Sequence, residues 1–268
     1  MMIGNGTTIG PARSASPGEW LRLQLQIVAA LARRDVQSRF GETWLAYAGS
    51  FLAPVAWIAA TWLAFYLLGR TPPVYTDMVS FIISGLIPYA LFRYVVTAIG
   101  RTKTAARGLM LFPTVAEEQN LTAGALVELA NGIILFLLVA GANLVIFGKG
   151  ELADPLAFGW GMLLCWGLGG AYAYFLAMLS RFHGRAPNIG QLLLRPTFFL
   201  SAVFFTANEL PEHILDWLSW NPLLHAVEVA RDGMLFNYQS RVASGGYVLL
   251  WIAALATGGA ILGLMRRN

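Results

Sequence analysis

Charge is what this sequence has least of. Only 12% of its 268 residues are Asp, Glu, Lys or Arg, while 57% are apolar; soluble proteins average about 25% and 45–50%. The stretches 50–68, 155–179 and 245–265 carry no charge at all. Each matches the roughly 20 helical residues that a bilayer core requires, which excludes an ordinary soluble domain. Cysteine is nearly absent as well. The single Cys165 rules out an internal disulfide, a CxxC redox centre and a thiolate metal cluster, and reads as a small core hydrophobe. The opening "MMIGNGTTIGPARSASPGEW" lacks an apolar signal-peptide core, so no cleaved leader is expected and the first span serves as the insertion signal. No GxxxxGK[ST] occurs, so the chain has no phosphate loop of its own for ATP. No basic-aromatic motif suggests nucleic acid as a partner.

What is present is a series of long apolar runs. Three more carry one charge each: 78–100 with Arg93, 121–147 with Glu128, and 188–206 with Arg195. Six spans result. Uninterrupted apolar runs satisfy their own backbone in lipid as helices, so the expected class is an all-α membrane protein with six transmembrane helices. With the N-terminus inside, the inner segments hold Arg13, Arg22, Arg33, Arg34, Arg39, Arg101, Lys103, Arg107, Arg181, Arg185, Arg195, Arg266 and Arg267. The outer ones hold only Arg70, Lys149, Arg231 and Arg241. That bias places both termini in the cytoplasm of a multi-pass membrane protein.

Four segments outside the spans have a readable character. Residues 1–18 are rich in Gly, Ser and Pro and are expected to be disordered. From 19 to 40 the pattern turns helical: Arg22, Gln26, Arg33 and Gln37 share one arc, and Trp20, Leu23, Ile27 and Leu31 another. A basic amphipathic helix beside a first span is expected in the cytoplasmic interface. The inner loop 101–120 begins basic and then offers a Pro-Thr start followed by "VAEEQ", a short helix (about 113–120) with acidic residues where the helix dipole favours them. The long outer segment 207–244 reads as two short helices, about 211–219 and 222–236, broken at Asn221-Pro222. Neither can cross a bilayer. A re-entrant or interfacial hairpin follows, between spans five and six on the outer face, with Trp217 and Trp220 at headgroup depth.

The hairpin concentrates the chain's ionisable groups, which raises the question of chemistry. Glu209 and His213 are four apart, and His225 and Glu228 three apart, so each pair shares a helical face as in helical metal sites. No other span supplies a matching pair, HExxH is absent, and no metal or catalytic residue is assigned. A proton relay wants acids in several spans, and only Glu128 qualifies. A membrane serine protease needs a histidine in a span, and none is there. The simplest reading of the hairpin is interfacial helices solvated on one face, with internal pairs such as Glu228 with Arg231.

Three stretches together resemble one family. "RRDVQSRFGETWLAYAGSFLAPVAWI" (33–58) is similar to the entry into the first span of bacterial capsular-polysaccharide and O-antigen ABC exporter permeases. "ISGLIPYALFRYVVTAIGRTKTAARGLMLFP" (83–113) resembles their second span and first inner loop. "FFLSAVFFTANELPEHILDWLSWNPLLHAVEVARDGMLFNY" (198–238), with its Trp-Asn-Pro-Leu-Leu-His block, resembles their last third. The resemblance implies an ABC-2 type transmembrane domain over 41–268. It implies a homodimer with two separate ATPase subunits that bind ATP and Mg, and no enzyme activity or cofactor on this chain. It further implies export of a lipid-linked polysaccharide, expected to be acidic, across the bacterial inner membrane through a channel at the dimer interface, with a periplasmic or outer-membrane export partner. Another cargo (O-antigen, teichoic acid or a drug) and a membrane-embedded enzyme are the alternatives.

By the same resemblance, 19–40 would be a gate helix, with Arg33, Arg34, Arg39 and Phe40. Arg107, Pro113, Thr114, Glu117 and Glu118 would couple to the ATPase. The outer hairpin would use Trp217, Trp220, Asn221, Pro222, His225, Glu228 and Arg231. Aromatic faces suit a sliding glycan, so Trp57, Trp62, Phe65, Tyr89, Phe92, Tyr94 and Phe205 are candidates for the cargo path. Arg93 joins them, because a charge within a span normally faces a wet cavity or a partner. Pairing with Glu128 is its structural alternative.

Overall fold

The structure, a computed structural model, describes residues 17–41, 43–109 and 117–265. Within them the chain is helical and without strands: α1 Pro17–Phe40, α2 Trp44–Gly49, α3 Leu52–Leu67, α4 Met78–Leu109, α5 Glu117–Phe147, α6 Pro155–Leu179, α7 Ala186–Leu200, α8 Glu212–Leu218, α9 Pro222–Met234 and α10 Gly245–Met265. The disorder expected for 1–18 falls outside the described residues, except that Pro17 and Gly18 already open α1. The starts of several helices are written locally. Asp77 precedes α4 and accepts from the amides of Val79 and Ser80, both at 3.0 Å. Asp154 caps α6 in the same way through Leu156 and Ala157, with Pro155 in the first turn.

Helix α4 is the axis of the bundle. Phe81, Ile82, Ile83, Leu86, Ile87, Leu91 and Val95 are buried all round it, and α3, α5, α6, α7 and α9 pack against it. Helix α9 wedges between α4 and α6. Glycines permit that wedge: a Cβ on Gly161 would strike the backbone of Ala230, and one on Gly233 would strike Ala157 and Phe158. Small residues at a helix crossing let backbones approach closely where no hydrophobic drive separates helix from lipid. Helix α10 packs on α6 and α9 and turns the rest of its apolar surface outward. Helix α1 runs along the first part of α5, where Gln119 Nε2 donates to Gln24 Oε1 at 2.6 Å.

Among the described residues, five stretches are long and apolar enough to cross a membrane: Trp44–Leu67, Met78–Ala98, Leu121–Phe147, Pro155–Leu179 and Gly245–Met265. The remaining expected span, 188–206, folds differently. Helix α7 is 15 residues long, and the chain then leaves the helix at Ser201 and passes through Ala202 with φ +55°. The reason is tertiary: carbonyls that a longer helix would bond internally are bonded instead by side chains of the following hairpin.

The inner segment also differs from its expected layout. Helix α4 continues to Leu109, and Glu117 and Glu118 form the first turn of α5, continuous with the span that follows. Pro113 and Thr114, at the expected start of a separate short helix, lie outside the described residues.

Candidate functional site

The hairpin between α7 and α10 follows the expected boundaries, but its charges are not solvated as the sequence suggested. Helix α8 is mostly exposed, as are its Trp217 and the Trp220 of the turn that follows, whereas Glu228 and Arg231 of α9 are both 0% exposed. A buried charge survives only when its partners are complete. Arg231 has four. Its Nη1 donates to Glu228 Oε1 at 2.5 Å and to the Phe205 carbonyl at 2.9 Å; its Nη2 donates to the Ala202 carbonyl at 2.5 Å, and its Nε to Ser84 Oγ at 3.2 Å. The Phe81 ring lies under the guanidinium, 5.2 Å from centroid to Cζ. The second oxygen of Glu228 accepts from the Tyr238 hydroxyl. Burial, and then the Glu228 carboxylate, push the Tyr238 phenol above its ordinary range, so it stays a donor.

The neighbouring signature residues serve the same backbone. Asn221 Oδ1 caps α9 through the amide of Leu223 at 3.0 Å, while its Nδ2 donates to the Leu200 carbonyl and to Ser201 Oγ, each at 3.0 Å. One side chain thus closes the end of α7 and the start of α9. His225 Nε2 lies 2.7 Å from the Ser219 carbonyl at the end of α8. Arg70 and Arg241 extend the pattern from outside: Arg70 Nη2 donates to the Phe204 carbonyl at 2.6 Å, and Arg241 Nη2 to those of Ala207, Asn208 and Leu210 at 3.0–3.3 Å. The Trp-Asn-Pro-Leu-Leu-His-Ala-Val-Glu-Val-Ala-Arg stretch is therefore a set of caps for the non-helical backbone after Leu200. Asp232, beside it, has its carboxyl raised to about 6, chiefly by burial, although the Ser240 amide donates to it and pulls the other way.

A second polar group lies where α1, α3, α4 and α5 meet. A cavity of about 500 Å³ is bounded there by Phe51, Pro54, Ile87, Leu91, Tyr94 and Leu135, with Arg39, Glu128 and Asn131 as its polar wall. Arg39 reaches from the end of α1 to both Asp35 and Glu128. Asn131 Nδ2 donates to Glu128 Oε2 at 3.2 Å, and the Tyr47 hydroxyl donates to Asn131 Oδ1 at 2.6 Å. Glu128 thus pairs with Arg39 and not, as the structural alternative had it, with Arg93. The gate-helix residues separate accordingly: Arg33 and Arg34 are exposed, Arg39 is engaged, and Phe40 ends the helix.

The path candidates gather only in part. Trp57, Tyr89 and Phe65 join a cluster whose centre is Phe198 and Phe204: Trp57 is 5.3 Å and Tyr89 5.0 Å from Phe198, and Phe65 is 5.8 Å from Phe204. The Tyr89 hydroxyl crosses to the Leu194 carbonyl of α7 at 2.9 Å. Tyr89, Phe65 and Phe92 are buried; Trp57, Tyr94 and Phe205 are half-buried. Trp62 stacks on Tyr66, and Phe92 faces Tyr172. Arg93 is exposed, with its guanidinium 5.7 Å from the Trp57 ring. Tyr47, Asn131 and Tyr238 had no place among the sequence-level candidates, and Arg195 figured there only as the charge of the run 188–206 and in the count of inner arginines. Nothing in the spacing of the first three marks them, since Tyr47 and Asn131 meet across 84 residues and Tyr238 folds back onto Glu228 of α9. Of the coupling candidates, Arg107 sits in the last turn of α4, and Glu117 and Glu118 open α5.

Comparison with known proteins bears on most of the chain. A family model described as ABC-2 type transporter matches residues 26–235. The polysialic acid transport protein KpsM of Escherichia coli is 26% identical over 235 residues, an alignment covering 85% of this chain and 89% of that protein. The capsule polysaccharide export inner-membrane protein CtrC of Neisseria meningitidis is 23% identical over 239 residues, covering 87% of this chain and 88% of its own length.

Proposed function

This chain belongs to the ABC-2 type transporter family, and from that premise we propose that it is the permease of an ATP-driven exporter of a lipid-linked, acidic capsular polysaccharide. The observation that carries the reading is similarity along nearly the full length to transport proteins named for polysialic acid and capsule polysaccharide. In this reading two copies pair to form the channel, and separate ATPase subunits dock on the cytoplasmic side near the segment between α4 and α5. The absence of a phosphate loop supports placing hydrolysis on another subunit.

The charge bias calls for an even number of crossings, and α7 with its extension supplies the sixth. Fifteen helical residues rise about 22 Å, and the six residues from Ser201 to Thr206 can add the remainder of a core about 30 Å thick. Non-helical backbone at that depth is tolerated only when the protein satisfies it. Arg231 and Asn221 do so, helped by Arg70 from the loop after α3, which gives the hairpin its work: it holds the outer half of the fifth crossing in an extended form beside the exit. The Trp57–Tyr89–Phe198 cluster shapes the wall against which sugar faces slide, and Arg93 offers a cation on the same side. Helix α1 flanks the inner entry as the gate.

Deletion of the gene followed by analysis of the surface glycan tests the cargo. Loss of an acidic surface coat, with the polymer accumulating inside, is expected; an unchanged coat refutes the reading. Purifying the tagged permease from its own membranes tests the assembly, and recovery of a stoichiometric ATPase subunit is expected.

A further inference from the structure

Two arginines in the membrane-embedded part of the chain stand apart from every other charge there. Between Met78 and Ala98, Arg93 is the one exposed residue on an otherwise buried helix. On α7, Asn188, Leu192, Arg195 and Phe199 form an exposed stripe at helical spacing, and Arg195 has no hydrogen bond or ion pair among the described residues. The two charges share a neighbourhood. Tyr89, one turn from Arg93, bonds the carbonyl of Leu194, next to Arg195; the Trp57 indole meets both Arg93 and Phe198. Arg195 lies nine residues after Ala186, about 13 Å along the helix and beyond the reach of a side chain extending back to the inner surface.

Such a charge on a lipid-facing surface is costly at mid-membrane even by the mildest scale. The spanning stretches themselves, in this copy or a second one, offer little to pair with it. Glu128 is the sole carboxylate within the five spanning stretches and α7, and it is already bonded to Arg39 and Asn131. A charged pair without a counter-ion among the described residues is open to water and to an anion from outside the fold.

We propose that Arg93 and Arg195 are the charge-selecting residues of the cargo path. In a homodimer they place four guanidinium groups at one level, which accept a polymer bearing carboxylate or phosphate in its repeat unit and disfavour a neutral one. This rests on the reading of the chain as a polysaccharide permease. Guanidinium binds carboxylate and phosphate through paired donors, and repeated exposed contacts are each weak enough for the polymer to move on. A neutral glycan leaves the same groups stripped of water without repayment.

The test uses the full exporter in its own host. Arg93→Gln/Arg195→Gln is expected to lower surface acidic glycan at least tenfold at unchanged membrane abundance, while Arg93→Lys/Arg195→Lys retains most of it. Export by the double Gln variant at the wild-type level overturns the proposal, as does equal loss in the Gln and Lys variants. A second measurement is independent of the cargo. In a Cys165→Ala background, Arg195→Cys is expected to react with a membrane-impermeant sulfonate thiol reagent; reaction with a lipophilic maleimide alone places residue 195 against lipid and overturns the proposal. An anionic-lipid origin for the counter-ion is read by native mass spectrometry: loss of bound anionic lipid in Arg195→Gln, with export intact, also overturns it. Failure of the permease reading itself is distinguishable, because it leaves the deletion strain's surface coat unchanged whatever the labelling shows.

Discussion

Arg231 and Arg195 carry the same group into the same bundle and fare in opposite ways. Arg231 is wholly buried and spends its donors on Glu228, Ser84 and the carbonyls of Ala202 and Phe205. Arg195 is exposed on α7 without a partner among the described residues. The contrast separates two uses of charge in a membrane. A saturated cation is a structural bolt, holding backbone that lipid does not allow to stand alone. An unsaturated one is available to something outside the fold. The Arg39–Glu128 pair lies between these extremes, bonded yet set in the wall of a cavity.

The largest effect is expected from removing the bolt. Arg231→Leu strands the Glu228 charge and leaves the Ala202 and Phe205 carbonyls bare, a loss of about 3–5 kcal/mol. The thermal midpoint of the detergent-purified protein should fall steeply, or the variant should fail to accumulate. Arg231→Met combined with Glu228→Leu should recover part of that loss, because an apolar pair replaces a buried ionic one at little cost. The bare carbonyls set the remainder. Arg195→Gln should leave the midpoint within about 0.5 kcal/mol. Equal midpoints for Arg231→Leu and Arg195→Gln would erase the distinction.

A smaller effect is expected at the gate. Glu128→Gln keeps a hydrogen-bonding shape toward Arg39 and Asn131 but removes the charge, for a loss of about 1–2 kcal/mol. Its signature is local: limited proteolysis should cut faster at the joint around Gly41–Thr43 between α1 and α2, with the rest of the bundle intact. Unchanged cleavage would show that packing alone seats α1 on α5.

The smallest is a pH dependence. The Asp232 carboxyl is raised to about 6 in the folded chain, mainly by burial. A raised acid is favoured in its neutral form, so its contribution to stability is full below the unfolded value near 4 and is lost as pH rises through about 6. The wild type should lose a little stability between about pH 4 and pH 6, and Asp232→Asn should flatten that step. A step of the same size in both proteins assigns it elsewhere.

Much of this fold was legible in the chain's own spacing. Uncharged runs of bilayer length gave the spanning helices, and Asn221-Pro222 gave the hairpin break within a residue or two of where α8 and α9 divide. Less legible was the fate of the charges. Glu228 and Arg231 three apart look alike whether solvated or buried, and only the wedge of α9 between α4 and α6 makes them interior. The stretch 188–206 reads as one apolar helix, yet α7 ends at Leu200 because Asn221 and Arg231 offer its carbonyls better partners than a continuing helix does. Arg39 and Glu128 are 89 residues apart, and no local pattern joins them.

By itself, then, the sequence determined that the chain lives in a bilayer, where five of its apolar segments cross as helices, and that its hairpin turns at a proline. These are properties of length and hydropathy, which act residue by residue. The tertiary structure decided which arginines are bolts and which are free, because that depends on carbonyls and carboxylates brought near by packing. A charge on one helix has no way of specifying in advance what another helix will place beside it.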